Sequence, residues 1–350
     1  MIDEKLTEFE TLSIDDLIAE KPTSIRDRSR LIVLNKKDNS ITHTFFSEII
    51  NYFRSGDCLV LNESKVLKSR FFYYENGYLK GDLLLVENYK GDFKKWLCLS
   101  RKLKGSSKYI IDGGAKIEKV EKYENFYLVY FDREVDIKYI TEYGKVPLPP
   151  YIIRKRKEKN MELLNKEDEI RYQTVYARVY GSIAAPTAGF HFTDEILKKL
   201  TLKGIKITKI ILHIGYGTFK MVNTDPSSFN MPPEKCYVSE ESAKVINETK
   251  LNSGRVFVVG TSVMRTLEKM NENGIVISGT RDCDIFIKPG WNFKVADCFI
   301  TNLHVPKSPP LYMTAAFATK ELLFKAYKEA IEKKYRFYSY GDAMLIINKD

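Results

Sequence analysis

The sequence predicts an α/β main domain into which a small all-β barrel is inserted, making a two-domain protein. Three observations lead there. Strand-like and helical segments alternate from Ile205 to the C-terminus, short β-branched and aromatic runs without helices fill 69–144, and polar, glycine-bearing loops follow the alternating strands. The α/β domain is therefore discontinuous, 1–68 plus 145–350, and the insert is 69–144. A chain of 350 residues also exceeds what one core usually holds.

In chain order, Leu12–Ile18 reads as a short amphipathic turn stopped by Lys21-Pro22. Arg26, Arg28 and Arg30 then lead into the apolar strand Leu31–Leu34, where they form either a phosphate-binding edge or a solvated one. Phe45–Phe53 is a predicted helix ended by Gly56. Asp57–Asn62 is a buried strand that delivers Glu63-Ser64-Lys65 to a cleft.

Within the insert, the predicted strands are Arg70–Tyr74, Asp82–Val86, Trp96–Leu99, Tyr109–Ile111, Ala115–Val120 and Phe126–Phe131. Turn residues such as Asn76-Gly77 and Asp112-Gly113-Gly114 separate them, and Lys102–Lys108 is a basic loop. Gly144–Tyr151, with three prolines, is a stiff linker, and Arg154–Lys159 begins a solvated loop or short helix.

The stretch Tyr172–Thr193 organises the rest. Gly181, Ser182, Ala184, Ala185, Thr187, Ala188 and Gly189 with Pro186 make a poor helix and a poor strand, and they let backbone approach a ligand closely. The same composition also suits a tight interdomain crossover. Phe190, His191 and Phe192 follow, and Thr193 or Asp194 caps a helix, Asp194–Lys203.

Beyond it come strand Ile205–Leu212, helix Ser239–Glu248, strand Arg255–Val259, helix Val263–Asn273, strand Asp284–Ile287, strand Cys298–Leu303, helix Glu321–Lys334 and strand Ala343–Ile347. Such alternation places a site at the strand ends.

Composition narrows the function classes. Net charge is +10 with pI near 9.0, which fits a polyanionic partner, although the chain is lysine-rich throughout. Five scattered cysteines without a CxxC argue against disulfides and zinc. The acidic N-terminus is no signal peptide, and no apolar run reaches the roughly 18 residues of a membrane span. A reduced, cytoplasmic protein without membrane contact, acting as a monomer, is expected.

Three of the four histidines, His191, His213 and His304, sit in or beside small-residue loops at element boundaries, where a general base or acid is useful. Their spacings share no metal signature, so no metal is expected. Gly260-Thr261-Ser262 opens a helix and can hold a carboxylate or phosphate, with Arg265 one turn in; an ordinary capped turn reads the same way. Gly215-Tyr216-Gly217-Thr218 is no dinucleotide fingerprint, and neither a Walker motif nor a GxSxG elbow is present.

Ten stretches carry a family resemblance. They are RDRSRL (26–31), GDCLVLN (56–62), VPLPPYI (146–152), YQTVYA (172–177), AAPTAGFHFT (184–193), LHIGYGTF (212–219), VGTSVMRTLE (259–268), DIFIKPG (284–290), ITNLHVPKS (300–308) and YRFYSYGDAMLI (335–346). In this order and spacing the chain resembles the S-adenosylmethionine:tRNA ribosyltransferase-isomerase family of the queuosine pathway. The resemblance spans nearly the whole chain.

It implies an inserted β-barrel and a reaction in which the ribosyl part of S-adenosyl-L-methionine moves onto 7-aminomethyl-7-deazaguanine at a tRNA wobble position. Adenine and methionine leave and epoxyqueuosine forms. The sulfonium acidifies the adjacent ribose carbon, so a base is needed beside it and a donor for the departing adenine. The base is expected to be His213 or His191, with His304 orienting ribose or adenine.

On the same resemblance, the co-substrate site would comprise Thr187, Gly189, Phe190, Phe192, Gly215, Tyr216, Gly217, Thr218, Gly260, Thr261, Ser262 and Arg265. Contacts to tRNA would come from Arg26, Arg28, Arg30, Asn62, Lys65, Arg70, Tyr172, Thr174, Asn302 and Asp342, with the base flipped onto an aromatic. Tyr216 stands where the family pattern has alanine, and no histidine precedes Glu234. Two alternatives therefore stay open: an enzyme of the same fold acting on another amine or RNA, and a non-catalytic RNA-binding protein.

Overall fold

A computed structural model describes residues 5–101, 103 and 108–348, with Thr218 and Phe219 described for their backbone alone. Most of the basic loop 102–108 and the first four residues lie outside the described residues.

A nine-stranded mixed sheet dominates. Its spatial order is Gly279–Cys283, Glu234–Val238, Lys206–Leu212, Cys58–Asn62, Val256–Val259, Cys298–Asn302, Ala343–Ile347, Arg30–Asn35 and Ser40–Phe45. Lys206–Leu212, Cys58–Asn62, Val256–Val259 and Cys298–Asn302 are mutually parallel, with Thr208 opposite Val60, Val60 opposite Val258 and Val259 opposite Ile300. Their C-terminal ends therefore meet along one edge. Side chains alternate between the faces: Cys58, Val60, Val256 and Val258 pack on one core, Leu59, Leu61, Phe257 and Val259 on the other. Helices Glu240–Leu251, Gly260–Lys269, Pro309–Ala318 and Lys320–Glu332 cover the first core, and Asp194–Leu202 lies against the second.

Six antiparallel strands within 70–131 form a second sheet, ordered Ile110–Ile111, Arg70–Glu75, Tyr78–Asn88, Lys95–Leu99, Phe126–Phe131 and Ile117–Tyr123. The hairpin turn Asn76-Gly77 has positive φ at both residues, 50° and 79°, which is why Asn-Gly stands there. The two outer strands are neighbours in sequence, and Ile117 N–H reaches Tyr109 O at 2.8 Å. Phe71, Tyr73, Leu83, Trp96 and Val129 give this sheet its own core.

Several elements differ from expectation. Phe46–Tyr52 is a 3₁₀ helix. Val179–Ser182, inside the small-residue stretch, forms a short parallel strand beside Ser64–Val66. The predicted strand Asp284–Ile287 is irregular, with the strand one step earlier at Gly279–Cys283, because the carbonyls of Cys283 and Ile285 turn to the Arg265 guanidinium at 2.6 and 3.2 Å. The linker region starts a helix, Pro150–Glu158, in which proline costs nothing at the first position. Its Arg156 is buried in a bidentate bond to Asp168 at 2.6 and 2.7 Å, so the basic run is no purely solvated face. Among the described residues no helix is long and apolar enough to cross a membrane, and no group of three metal-ligating side chains occurs.

Candidate active site

The ends of strands Lys206–Leu212, Val256–Val259 and Cys298–Asn302 border a cleft of about 110 Å³ that opens to solvent. The carboxyl ends of parallel strands are where small-molecule sites form. One wall is Ala184–Ala188, the second Gly260–Ser262 with Arg265, and the third Thr301, Asn302 and His304. The mouth carries Tyr151 and Tyr338, stacked at 3.8 Å.

Small residues are required where walls meet. A Cβ on Gly189 would strike the Tyr176 hydroxyl and lie 2.7 Å from Thr174 Cγ2. Gly260 opens its helix with φ +84°, and a Cβ there would lie 3.6 Å from Ala188. The positive φ is what favours glycine at 260, and the helix that starts there leaves its first N–H groups at the cleft.

Two opposite charges face each other in the lining. Arg265 donates to Glu234 as well as to the Cys283 and Ile285 carbonyls, and Glu234 Oε1 accepts the N–H of Gly215 at 2.7 Å. Asn302 accepts from Thr187 Oγ1 at 3.1 Å and its amide lies 3.2 Å from His191 Nε2, so two walls are tied together.

The same cleft-bearing chain has close relatives of known name. The sequence model of the family described as queuosine biosynthesis protein matches residues 7–346. The chain belongs to this family. It is 41% identical over 339 residues to a protein of Syntrophomonas wolfei named S-adenosylmethionine:tRNA ribosyltransferase-isomerase, covering 95% of this chain and 94% of that one. A protein of the same name from Halothermothrix orenii is 42% identical over 350 residues, covering 98% and 100%. The crystal structure of the S-adenosylmethionine tRNA ribosyltransferase from Thermotoga maritima superposes with a TM-score of 0.54 at 32% identity, covering 95% of this chain and 97% of that chain.

For this queuosine-family chain, the residues singled out in the sequence divide clearly. Thr187, Gly260, Thr261, Ser262, Arg265, Asn302, His304 and Tyr172 line the cleft. Gly189 sits behind the wall, and Phe192 packs into the core against Phe46 at 4.9 Å. Gly215 binds Glu234, Gly217 abuts Pro232, and Tyr216 meets Phe126 of the six-stranded sheet edge-on at 4.8 Å. The Thr218 side chain lies outside the described residues.

Asn62 is fully buried, donating to Leu212 O and Ser262 Oγ and accepting from Ser64 and Leu212 N–H; it fastens the strand ends. Asp342 accepts from Arg30 and from Arg336 N–H, and Arg30 stacks on Tyr335 at 4.1 Å. Arg28 is exposed, Lys65 lies over the Tyr180 ring at 4.5 Å, Arg70 donates to Leu148 O, and Thr174 is buried. Arg26 and Phe190 lie at a smaller notch behind the cleft.

The histidines differ in kind. His191 is held at both nitrogens, by Ser29 Oγ at 2.7 Å and the Asn302 amide, and burial pushes it down to about 3. Burial does the same to His304, whose Nε2 meets Thr301 Oγ1 at 2.7 Å. Both are neutral at pH 7. His213, also lowered by burial, packs its ring on Gly181, while its neighbours Leu212 and Ile214 face the cleft. Its Nδ1 is buried without a partner among the described residues.

Glu234, Tyr151, Tyr338 and Ser339 were not singled out from sequence. The signal for Glu234 was a carboxylate at an alternately buried position of a short strand, and that of the tyrosines their place in the matching stretches 146–152 and 335–346.

Proposed function

We propose that the chain is an S-adenosylmethionine:tRNA ribosyltransferase-isomerase and that the cleft is where S-adenosylmethionine meets a tRNA base bearing an aminomethyl group. The observation that carries this reading is the convergence of the Gly260–Ser262 helix start, the Glu234–Arg265 pair and His304 on one cleft at the strand ends.

The roles follow from chemistry. The methionine part is a zwitterion beside a sulfonium. The helix N-terminus and the Thr261 and Ser262 hydroxyls suit its carboxylate, with the Arg265–Glu234 pair one turn further in. His304, neutral and set by Thr301, orients ribose or adenine by hydrogen bonding. His191 positions Asn302 and so the Thr187 wall. The proton acceptor from the carbon next to sulfur is proposed to be His213, whose ring stands beside the cleft-lining Leu212 and Ile214 without itself lining the cleft. The stacked tyrosines at the mouth offer an aromatic face to a flipped base.

The chain is further proposed to be two units, 1–68 with 145–350 and 69–144, the second closing into a small barrel. Its separate core and the bond from Ile117 to Tyr109 support this. The function is tested by incubating the protein with S-adenosylmethionine and tRNA carrying 7-aminomethyl-7-deazaguanine. Stoichiometric adenine and methionine are expected; their absence would reject the reading.

A further inference from the structure

Behind the wall made by Phe190 and His191 lies a notch that shares Ser339 with the cleft. It holds about 10 Å³, room for about one water-sized atom, so it admits one oxygen of a larger group and no nucleoside. Arg26 and Arg171 line it from two distant parts of the chain, together with Thr23 and Tyr340.

The two guanidiniums are close enough to work against each other. Burial first, and then the charge of Arg171, hold Arg26 below the usual arginine range. Arg26 donates to the Phe190 and Ile170 carbonyls, both at 3.2 Å, and Arg171 to the Ser24 and Thr23 carbonyls at 3.2 and 2.6 Å. Carbonyls fix these forks in place without neutralising them. Arg171 Nε is buried with no partner among the described residues, and so is Nη2 of nearby Arg336, whose charge also acts on His191. Opposite charge is sparse: Glu167 reaches Arg171 at 3.5 Å from solvent, Asp194 acts on Arg26 from a distance, Asp342 pairs with Arg336 at 3.8 Å, and no carboxylate lines the notch.

Buried donors left unmade and like charges set together both cost free energy. An anion offsets both terms, and the arginine fork matches the oxygens of a phosphate. We infer that the notch between Arg26 and Arg171 receives a backbone phosphate of the RNA whose base enters the cleft. The inference rests on the tRNA reading above. Phosphate binding here, on the far side of the Phe190–His191 wall, holds the strand while its base is presented to the cleft mouth.

The test is equilibrium tRNA binding at several salt concentrations, alongside calorimetric S-adenosylmethionine binding and thermal midpoints. Thr23→Glu keeps both arginines and their carbonyl bonds while placing a carboxylate in the notch. It should weaken tRNA binding about tenfold and make the slope of log K against log salt shallower by about one. Its S-adenosylmethionine affinity should match wild type, and its thermal midpoint should rise, since the new carboxylate offsets the paired arginine charges. Arg171→Gln should show the same slope change, and Arg171→Lys should restore it. Unchanged slopes in both Thr23→Glu and Arg171→Gln, with tRNA still bound, would overturn the inference. Inorganic phosphate that stabilises wild type but not Thr23→Glu, with identical tRNA slopes, would overturn it in favour of a free-phosphate site. A wild-type protein that binds S-adenosylmethionine but no tRNA would instead remove the tRNA reading, and the notch assignment with it.

Discussion

Gly215 donates its backbone N–H to Glu234 Oε1 at 2.7 Å, and the second carboxylate oxygen of Glu234 takes the Arg265 guanidinium. One side chain thus ties the loop after strand Lys206–Leu212 to the helix that opens at Gly260, across the floor of the cleft. Both partners of the ion pair are buried.

Removing one charge of such a pair leaves the other without compensation in a desolvated place. Glu234→Gln keeps an acceptor for Gly215 but strands Arg265, and should cost about 3 kcal/mol or more of stability in denaturant unfolding. Glu234→Ala should cost more, since the loop also loses its anchor. An unchanged unfolding midpoint would mean that solvent or another group satisfies Arg265.

Gly189→Ala should be destabilising out of proportion to one methyl, by about 1–3 kcal/mol, because the new Cβ meets the Tyr176 hydroxyl and Thr174. As the shift moves the Ala184–Ala188 wall, KM for S-adenosylmethionine should rise more than kcat falls. Paired unfolding and steady-state kinetics read both.

The histidines should separate by role. His213→Gln should lower turnover by a factor of about 10² to 10⁴ with S-adenosylmethionine affinity retained, as expected for a proton acceptor. His304→Gln should weaken co-substrate binding, since an amide reproduces only part of the Thr301-set geometry. Near-normal adenine release by His213→Gln would take it out of the mechanism.

Acid should destabilise the fold through His191. Its ordinary value is 6.5 and burial takes it to about 3 in the folded chain, so between these values the unfolded chain binds the extra proton. The stabilisation is complete above about pH 6.5 and is lost as pH falls toward 3; His304 acts in the same direction. Thermal midpoints should fall from pH 7 to pH 5, and His191→Gln should flatten that dependence.

The alternating α/β order was legible because burial on both sheet faces writes continuous apolar runs such as Cys58–Leu61 and Val256–Val259 into the chain. The Asn76-Gly77 hairpin was legible because few residues take positive φ. What could not be read was tertiary override. Pro150 and Tyr151 look like the end of a linker and Arg154–Lys159 like a solvated loop or short helix until Asp168 neutralises Arg156 inside helix Pro150–Glu158, and Asp284–Ile287 looks like a strand until Arg265 claims its neighbouring carbonyls. In the site, the glycine turn and His304 announced themselves locally, whereas Glu234 gains its meaning only from Gly215 and Arg265, distant in sequence. Asn62 and Asp342 look like ligand contacts in sequence, yet their hydrogen bonds hold strand ends and arginines.

The most direct test uses S-adenosylmethionine labelled in its ribose and two tRNAs, one with 7-aminomethyl-7-deazaguanine at the wobble position and one with guanine. The account predicts that the label enters only the first tRNA, in a nucleoside with the mass of epoxyqueuosine, as adenine and methionine are released. Label remaining in free S-adenosylmethionine, or appearing in RNA without the aminomethyl base, would contradict it.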